Sequence, residues 1–136
     1  MSKLHLKIVT PEKEIWSEEV SEVIVPSVEG ELGILPHHEN LMAQLKPGEL
    51  QIKNGEKTNS LAIGAGFIQM IDNKLTVLTD LAEHASDIDE KKVEEAKKRA
   101  QAALEQKLSD EEYAETLAVL EKSLAQLHVK RRHRAR

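Results

Sequence analysis

The apolar residues of this 136-residue chain change their repeat once, near residue 87, and the change separates two kinds of structure. Before it they alternate or come in short runs closed by turn residues. Leu4, Leu6 and Ile8 alternate with polar neighbours, and Pro11 turns the chain. Val20, Val23, Ile24 and Val25 follow, closed by Pro26. Leu50 and Ile52 lead into Asn54-Gly55, a pair that predicts a hairpin with both turn residues at positive φ. Leu61, Ile63, Phe67, Ile68 and Ile71 are interrupted by Gly64-Ala65-Gly66, which predicts a bulge or a close approach of two backbones. Asp72-Asn73 makes another turn, and Leu75, Val77 and Leu78 form the next strand. Short strands at this spacing predict a β-sandwich or barrel over residues 1–86.

Beyond residue 87 the spacing becomes helical. Asp87 and Glu90 have the form of a capping box, followed by Val93, Ala96, Ala100 and Ala103 at steps of three and four. Ser109 and Glu112 repeat the box, followed by a seam of Tyr113, Leu117, Leu120, Leu124 and Leu127. A short break between two helices makes them antiparallel, so residues 87–136 predict a hairpin of two helices, each about 20 residues and roughly 30 Å long. Its seam sets alanine against leucine. Burying a leucine is worth roughly 1.5–3 kcal/mol and an alanine much less. The hairpin therefore leans on the β domain or on a partner, and it is the element most able to move.

Charge divides at the same place. Residues 1–87 carry seven lysines, no arginine and fourteen acids, whereas residues 88–136 carry twelve basic and ten acidic residues. The chain ends in Lys130-Arg131-Arg132-His133-Arg134-Ala135-Arg136, a cationic run suited to an acidic partner or to the end of a helix dipole. An acidic first domain and only three aromatics, Trp16, Phe67 and Tyr113, argue against nucleic acid. No apolar run reaches the length of a membrane span, about 18 residues, and the N-terminus lacks a signal-peptide core. The absence of cysteine rules out disulfides and thiolate metal sites and fits a reducing compartment.

The densest stretch is EGELGILPHHENLMAQLKPGEL, residues 29–50. It lacks the Lys-Ser or Lys-Thr of a phosphate loop. His37 and His38 are adjacent, so in an extended segment they point to opposite faces and do not converge on a metal. No serine sits in a nucleophile elbow. Asp87, Asp89 and Glu90 are helix N-terminal charges, and His84 is a lone histidine before the first helix. No catalytic constellation and no metal site emerges. The stretch reads as a shaped contact surface.

Nearly the whole chain resembles the epsilon subunit of bacterial F-type ATP synthases. The resemblance rests on EGELGILPHH followed by LKPGEL, and on GAGFIQM followed by LTVLTD. It implies a non-catalytic rotor subunit of a proton-driven enzyme, peripheral on the cytoplasmic face of the cell membrane. Its partners would be gamma, the c-ring and the alpha and beta catalytic subunits. Glu31, Gly33, Pro36 and His38 match the family's loop at the rotor base, which faces gamma and the c-ring. The hairpin of this family lies folded on the sandwich or extends along gamma, where it blocks ATP hydrolysis. Lys122, Lys130, Arg131, Arg132 and Arg134 would then meet an acidic stretch of beta. No cofactor is required, but in some members ATP binds the folded hairpin as a regulatory ligand. Glu83, Ile88, Asp89 and Arg99 match positions those members use. Lys92 replaces an arginine of their motif, Val93 replaces an alanine, and Lys122 and Gln126 stand where two further arginines are placed. Two rival readings remain: an enzyme built on His37, His38 and Glu39, and a free-standing adaptor whose hairpin binds helical partners.

Overall fold

The computed structural model describes residues 2–135, so Arg136 of the cationic run lies outside the described residues. Ten strands precede two helices. The strands are β1 (Leu4–Val9), β2 (Glu14–Val20), β3 (Glu22–Ser27), β4 (Gly30–Ile34), β5 (Leu41–Leu45), β6 (Gly48–Asn54), β7 (Lys57–Ile63), β8 (Gly66–Ile71), β9 (Lys74–Thr79) and β10 (Ala82–His84). A 3₁₀ turn at Ala85–Asp87 leads to α1 (Glu90–Leu104) and α2 (Asp110–Ala135). This is the β-sandwich and helical hairpin that the two periods predict.

The strands are hydrogen-bonded in the order β10-β7-β6-β3-β5-β8-β9-β1-β2, with β4 also on β3. β3 meets β5 at one register position, Ser27 against Leu45, and there the sheet passes from one layer to the other. One layer turns Leu4, Leu6, Ile8, Ile68, Met70, Leu75 and Val77 inward. The other answers with Val23, Val25, Leu50, Ile52, Leu61 and Ile63. All are fully buried. At roughly 1.5–3 kcal/mol for each large side chain, this core is the main stabilising element of the chain.

Turn chemistry explains one departure from expectation and one agreement. Asn54 pairs with Lys57 as the last residue of β6, so the β6–β7 turn is Gly55-Glu56 and, of these two, only Gly55 has positive φ, at 67°. The geometry with both residues at positive φ occurs instead at Asp72 (48°) and Asn73 (65°), between the paired Ile71 and Lys74. Short polar side chains tolerate that region. At Gly64-Ala65-Gly66 the predicted close approach is present. A Cβ on Gly66 would lie 2.8 Å from Thr79 Cα, with the Leu78 carbonyl oxygen nearer still.

The helices also differ in detail. Asp89, not Asp87, caps α1, accepting from the Lys92 backbone N–H at 3.2 Å, because residues 85–87 are consumed by the 3₁₀ turn. The Ser109–Glu112 box forms in both directions, each bond 3.1 Å. The helices are unequal, 15 and 26 residues, and α2 spans roughly 39 Å. The predicted leucine seam is only partly buried: Tyr113 and Leu124 are exposed, while Ser123, Ala125, Leu127 and Val129 are buried. Burial at both 125/129 and 123/127 shows a helix covered on two sides, by α1 and by β6–β7. The shared cluster is Ala62, Ala85, Ile88, Val93, Leu127 and Val129. β7 is consequently buried on both faces along its last four residues.

Candidate functional site

Residues 29–38 are less of a loop than the sequence suggests. β4 pairs with β3 from Gly30–Ser27 to Ile34–Val23, joined by a turn in which Ser27 Oγ donates to the Gly30 carbonyl at 2.6 Å. Glu31 and Gly33 are exposed on this strand. Gly33 is not at positive φ, and a Cβ there would meet only Glu22 Oε2 at 3.6 Å. Gly30, at φ 121°, is the residue this turn requires to be glycine. Pro36 and His38 lie half-buried in the following turn, where the His38 N–H donates to the Leu35 carbonyl at 3.1 Å. His37 has φ 65° and donates its backbone N–H to Asn73 Oδ1 at 2.7 Å, which fastens this turn to the β8–β9 turn. Among the described residues no group of three or more His, Cys, Asp or Glu is arranged to hold a metal.

The outer face of β5, β8 and β9 carries a feature that the expectations above do not include. Met42 on β5, Phe67 on β8 and Leu78 on β9 are 73%, 55% and 50% exposed. Phe67 and Leu78 are cross-strand partners, and Met42 pairs with Gln69, the next outward residue of β8. They form an apolar outer face on one layer of the sandwich. The signal was available: Phe67 and Ile68 are adjacent in a strand, so one of them had to face outward.

The hairpin lies folded on the sandwich, and its cations are engaged. Lys122 pairs with Asp80 at 2.9 Å, and one turn on, Gln126 donates to Glu83 at 2.9 Å. Lys130 donates to the Ala85 and Ser86 carbonyls at 3.2 and 3.5 Å. Arg132 pairs with Glu49 of β6. Arg131 pairs with Glu90 and Glu94, and Arg134 with Glu90, all on α1. A cavity of 640 Å³ opens between α2 and the sandwich, with Glu31, Glu49, His128 and Arg132 among its walls.

The residues matched to nucleotide binding are only partly gathered. Glu83 and Asp89 flank the 3₁₀ turn, and each already accepts a hydrogen bond, from Gln126 and from the Lys92 N–H. Ile88 is buried in the cluster between hairpin and sheet. The Lys92 and Arg99 side chains are exposed on α1. His84, half-buried, stands with its ring centroid 5.9 Å from that of Trp16.

A β-sandwich carrying a folded, cation-tipped helical hairpin defines a small two-part subunit. Residues 3–85 match the model of the ATP synthase delta/epsilon chain β-sandwich domain, and residues 86–131 match that of its long α-helix domain. The chain belongs to the ATP synthase delta/epsilon chain family. It is 43% identical to the ATP synthase epsilon chain of Dehalococcoides mccartyi, over 98% of this chain and 96% of that one. It is 42% identical to the epsilon chain of Herpetosiphon aurantiacus, over 98% of each. Among solved structures it is similar to a chain of the Euglena gracilis mitochondrial ATP synthase OSCP/F1/c-ring assembly, with a TM-score of 0.78 and 26% identity, over 92% of this chain and 79% of that one.

Proposed function

We propose that this chain is a non-catalytic central-stalk subunit of a proton-driven ATP synthase, on the cytoplasmic face of the cell membrane, and that its hairpin restrains ATP hydrolysis. The sandwich would couple gamma and the c-ring to the alpha and beta subunits of the catalytic head. Glu31 and Gly33 on the exposed β4 strand, with Pro36 and His38 in the turn, supply the rotor contact. The apolar face of Met42, Phe67 and Leu78 would supply a seat for gamma, because large apolar side chains exposed together on one sheet face suit a protein contact. One observation carries the braking reading: the hairpin is docked through Lys122, Lys130 and Arg132, while Arg131 and Arg134 pair with α1, so the groups that would grip an acidic stretch of beta are held in contacts that can be exchanged. Salt-sensitive ion pairs together with one small apolar cluster suit an element that must leave and return.

In this reading the subunit requires no cofactor. ATP would act as a regulatory ligand of the folded hairpin through Glu83, Ile88, Asp89, Lys92 and Arg99. The subunit's assignment is tested by affinity purification of the tagged chain from membranes. Recovery with a rotary ATPase containing gamma, c-ring and catalytic subunits supports it. Recovery without them, alongside unrelated helical partners, would favour the adaptor reading.

A further inference from the structure

We infer that Glu49 and Asp80 of the sandwich form an electrostatic latch that holds the hairpin down through Arg132 and Lys122, so that the cations of the brake are masked by the subunit's own β domain. The consequence for hydrolysis rests on the braking reading, whereas the latch itself does not. The ion pairs of the hairpin fall into two sets. Arg131 and Arg134 bind Glu90 and Glu94 of α1, and these bonds travel with the hairpin when it lifts. Lys122–Asp80 and Arg132–Glu49 cross from hairpin to sandwich and must break. Glu49 is the stronger anchor, because its side chain is only 8% exposed. A carboxylate so placed depends on a cation and on donors such as Gln51 Nε2, at 3.3 Å. The crossing pairs sit nearly three helical turns apart along α2, roughly 15 Å, so they fix its position at two points against β6 and the loop before β10. The apolar cluster between them contains two alanines and three β-branched residues, with Leu127 as its largest α2 member. Burial there is modest enough for the charges to tip the balance.

The latch and the brake therefore compete for the same side chains. Lys122 and Arg132 cannot hold the sandwich and beta at once, and weakening their acidic partners on the sandwich should free the hairpin without altering the hairpin's own charge.

The test uses the isolated full-length chain, which has no cysteine and so accepts a clean pair of spin labels at Lys57→Cys and Ala118→Cys, both exposed positions. Distances between β7 and α2 are read by pulsed electron resonance in Glu49→Gln, Asp80→Asn, the double variant, and Glu90→Gln/Glu94→Gln. The double variant is expected to raise the undocked fraction about tenfold, as loss of charge-assisted bonds would. Wild type should undock as salt rises from about 0.05 to 0.5 M, because the Debye length shortens, and the double variant should respond less. The Glu90/Glu94 variant should keep the wild-type distance from β7 to α2. Unchanged distances in both sandwich variants and across the salt range would overturn the latch and assign docking to the apolar cluster. Moved distances with unchanged hydrolysis in the assembled enzyme would leave the latch standing and sink the brake.

Discussion

A methyl group added at Gly66 would sit 2.8 Å from Thr79 Cα, with the Leu78 carbonyl oxygen of the same strand nearer still, whereas one at Gly33 would find only the end of the Glu22 side chain at 3.6 Å. The two glycines therefore separate folding from contact. Gly66→Ala should destabilise the sandwich by about 2–3 kcal/mol, since the paired β9 backbone cannot withdraw without breaking the ladder. Gly33→Val should leave the melting temperature within a few degrees of wild type, because β4 is extended there and accepts a β-branched residue. The same Gly33→Val, or Glu31→Lys, should weaken assembly or coupled synthesis, because both side chains would lie on the exposed face of β4. Thermal unfolding of the isolated chains beside recovery of the assembled complex checks both halves. A Gly33→Val chain that melts early would mean that it acts through the fold. At this scale the sequence was informative where a turn follows from one or two residues, as at Gly64-Ala65-Gly66. It misled where φ depends on strand register. Asn54 belongs to the β6 ladder, and the turn with two positive φ values moved to Asp72-Asn73.

The helices depend on caps and on one shared apolar cluster. Glu112 is held below the usual carboxylate range, first by the hydrogen bond from the Ser109 backbone N–H and then by its hydroxyl. Glu94 is also lowered, chiefly by its bond to Lys97, with Arg131 adding to it. A carboxyl lowered in the folded state stabilises fully above its unfolded value, about 4.3, and that contribution fades as pH falls through the lowered folded value. Acidification should therefore loosen the hairpin before the sandwich. Helical circular dichroism should fall at a higher pH than the fluorescence of Trp16, the only tryptophan. Coincident transitions would contradict this. Leu127 makes the apolar side of the same argument. It is 2% exposed among Ala62, Ile88 and Val93, so Leu127→Ala should cost the docked state about 2–4 kcal/mol and release the hairpin while β1–β9 stay folded. Amide exchange in β7 beside Ala62 should rise, with the inner core protected. Helix existence and the Ser109–Glu112 box were legible in spacing. The buried face of α2 was not, because a helix covered on two sides buries positions that a single seam pattern leaves out.

The whole molecule is an acidic sandwich carrying a cationic hairpin, and the charge division at residue 87 was visible in the sequence alone. What the sequence could not supply is the pairing, because Glu49 and Arg132 are 83 residues apart and meet only when α2 lies across β6. That pairing changes what neutralising the C-terminal cations should do. With Lys130, Arg131, Arg132 and Arg134 replaced together, the docked state loses its bonds to Glu49 and the 3₁₀ turn, the hairpin loses its internal bonds to Glu90 and Glu94, and, on the braking reading, the extended state would lose its bonds to beta. Each exposed pair is worth up to about 1 kcal/mol, and the two losses oppose one another. Neutralisation should therefore relieve hydrolysis only in part, and less at high salt, where both sets are already screened. Deletion of residues 88–136 removes both states at once. The sandwich keeps its core and β4, the strand proposed to meet the rotor, so ATP synthesis should remain largely intact while ATP hydrolysis rises severalfold, a change that a balance of about 1–2 kcal/mol between states would produce. Hydrolysis and proton-driven synthesis by the reconstituted enzyme with full-length, neutralised and truncated subunits measure this directly. The expected order of hydrolysis is truncated above neutralised above full-length. If truncation leaves hydrolysis at the full-length rate, the hairpin is no brake, and its docking on β6 and β7 serves to shield the outer face of the sandwich around Ala62.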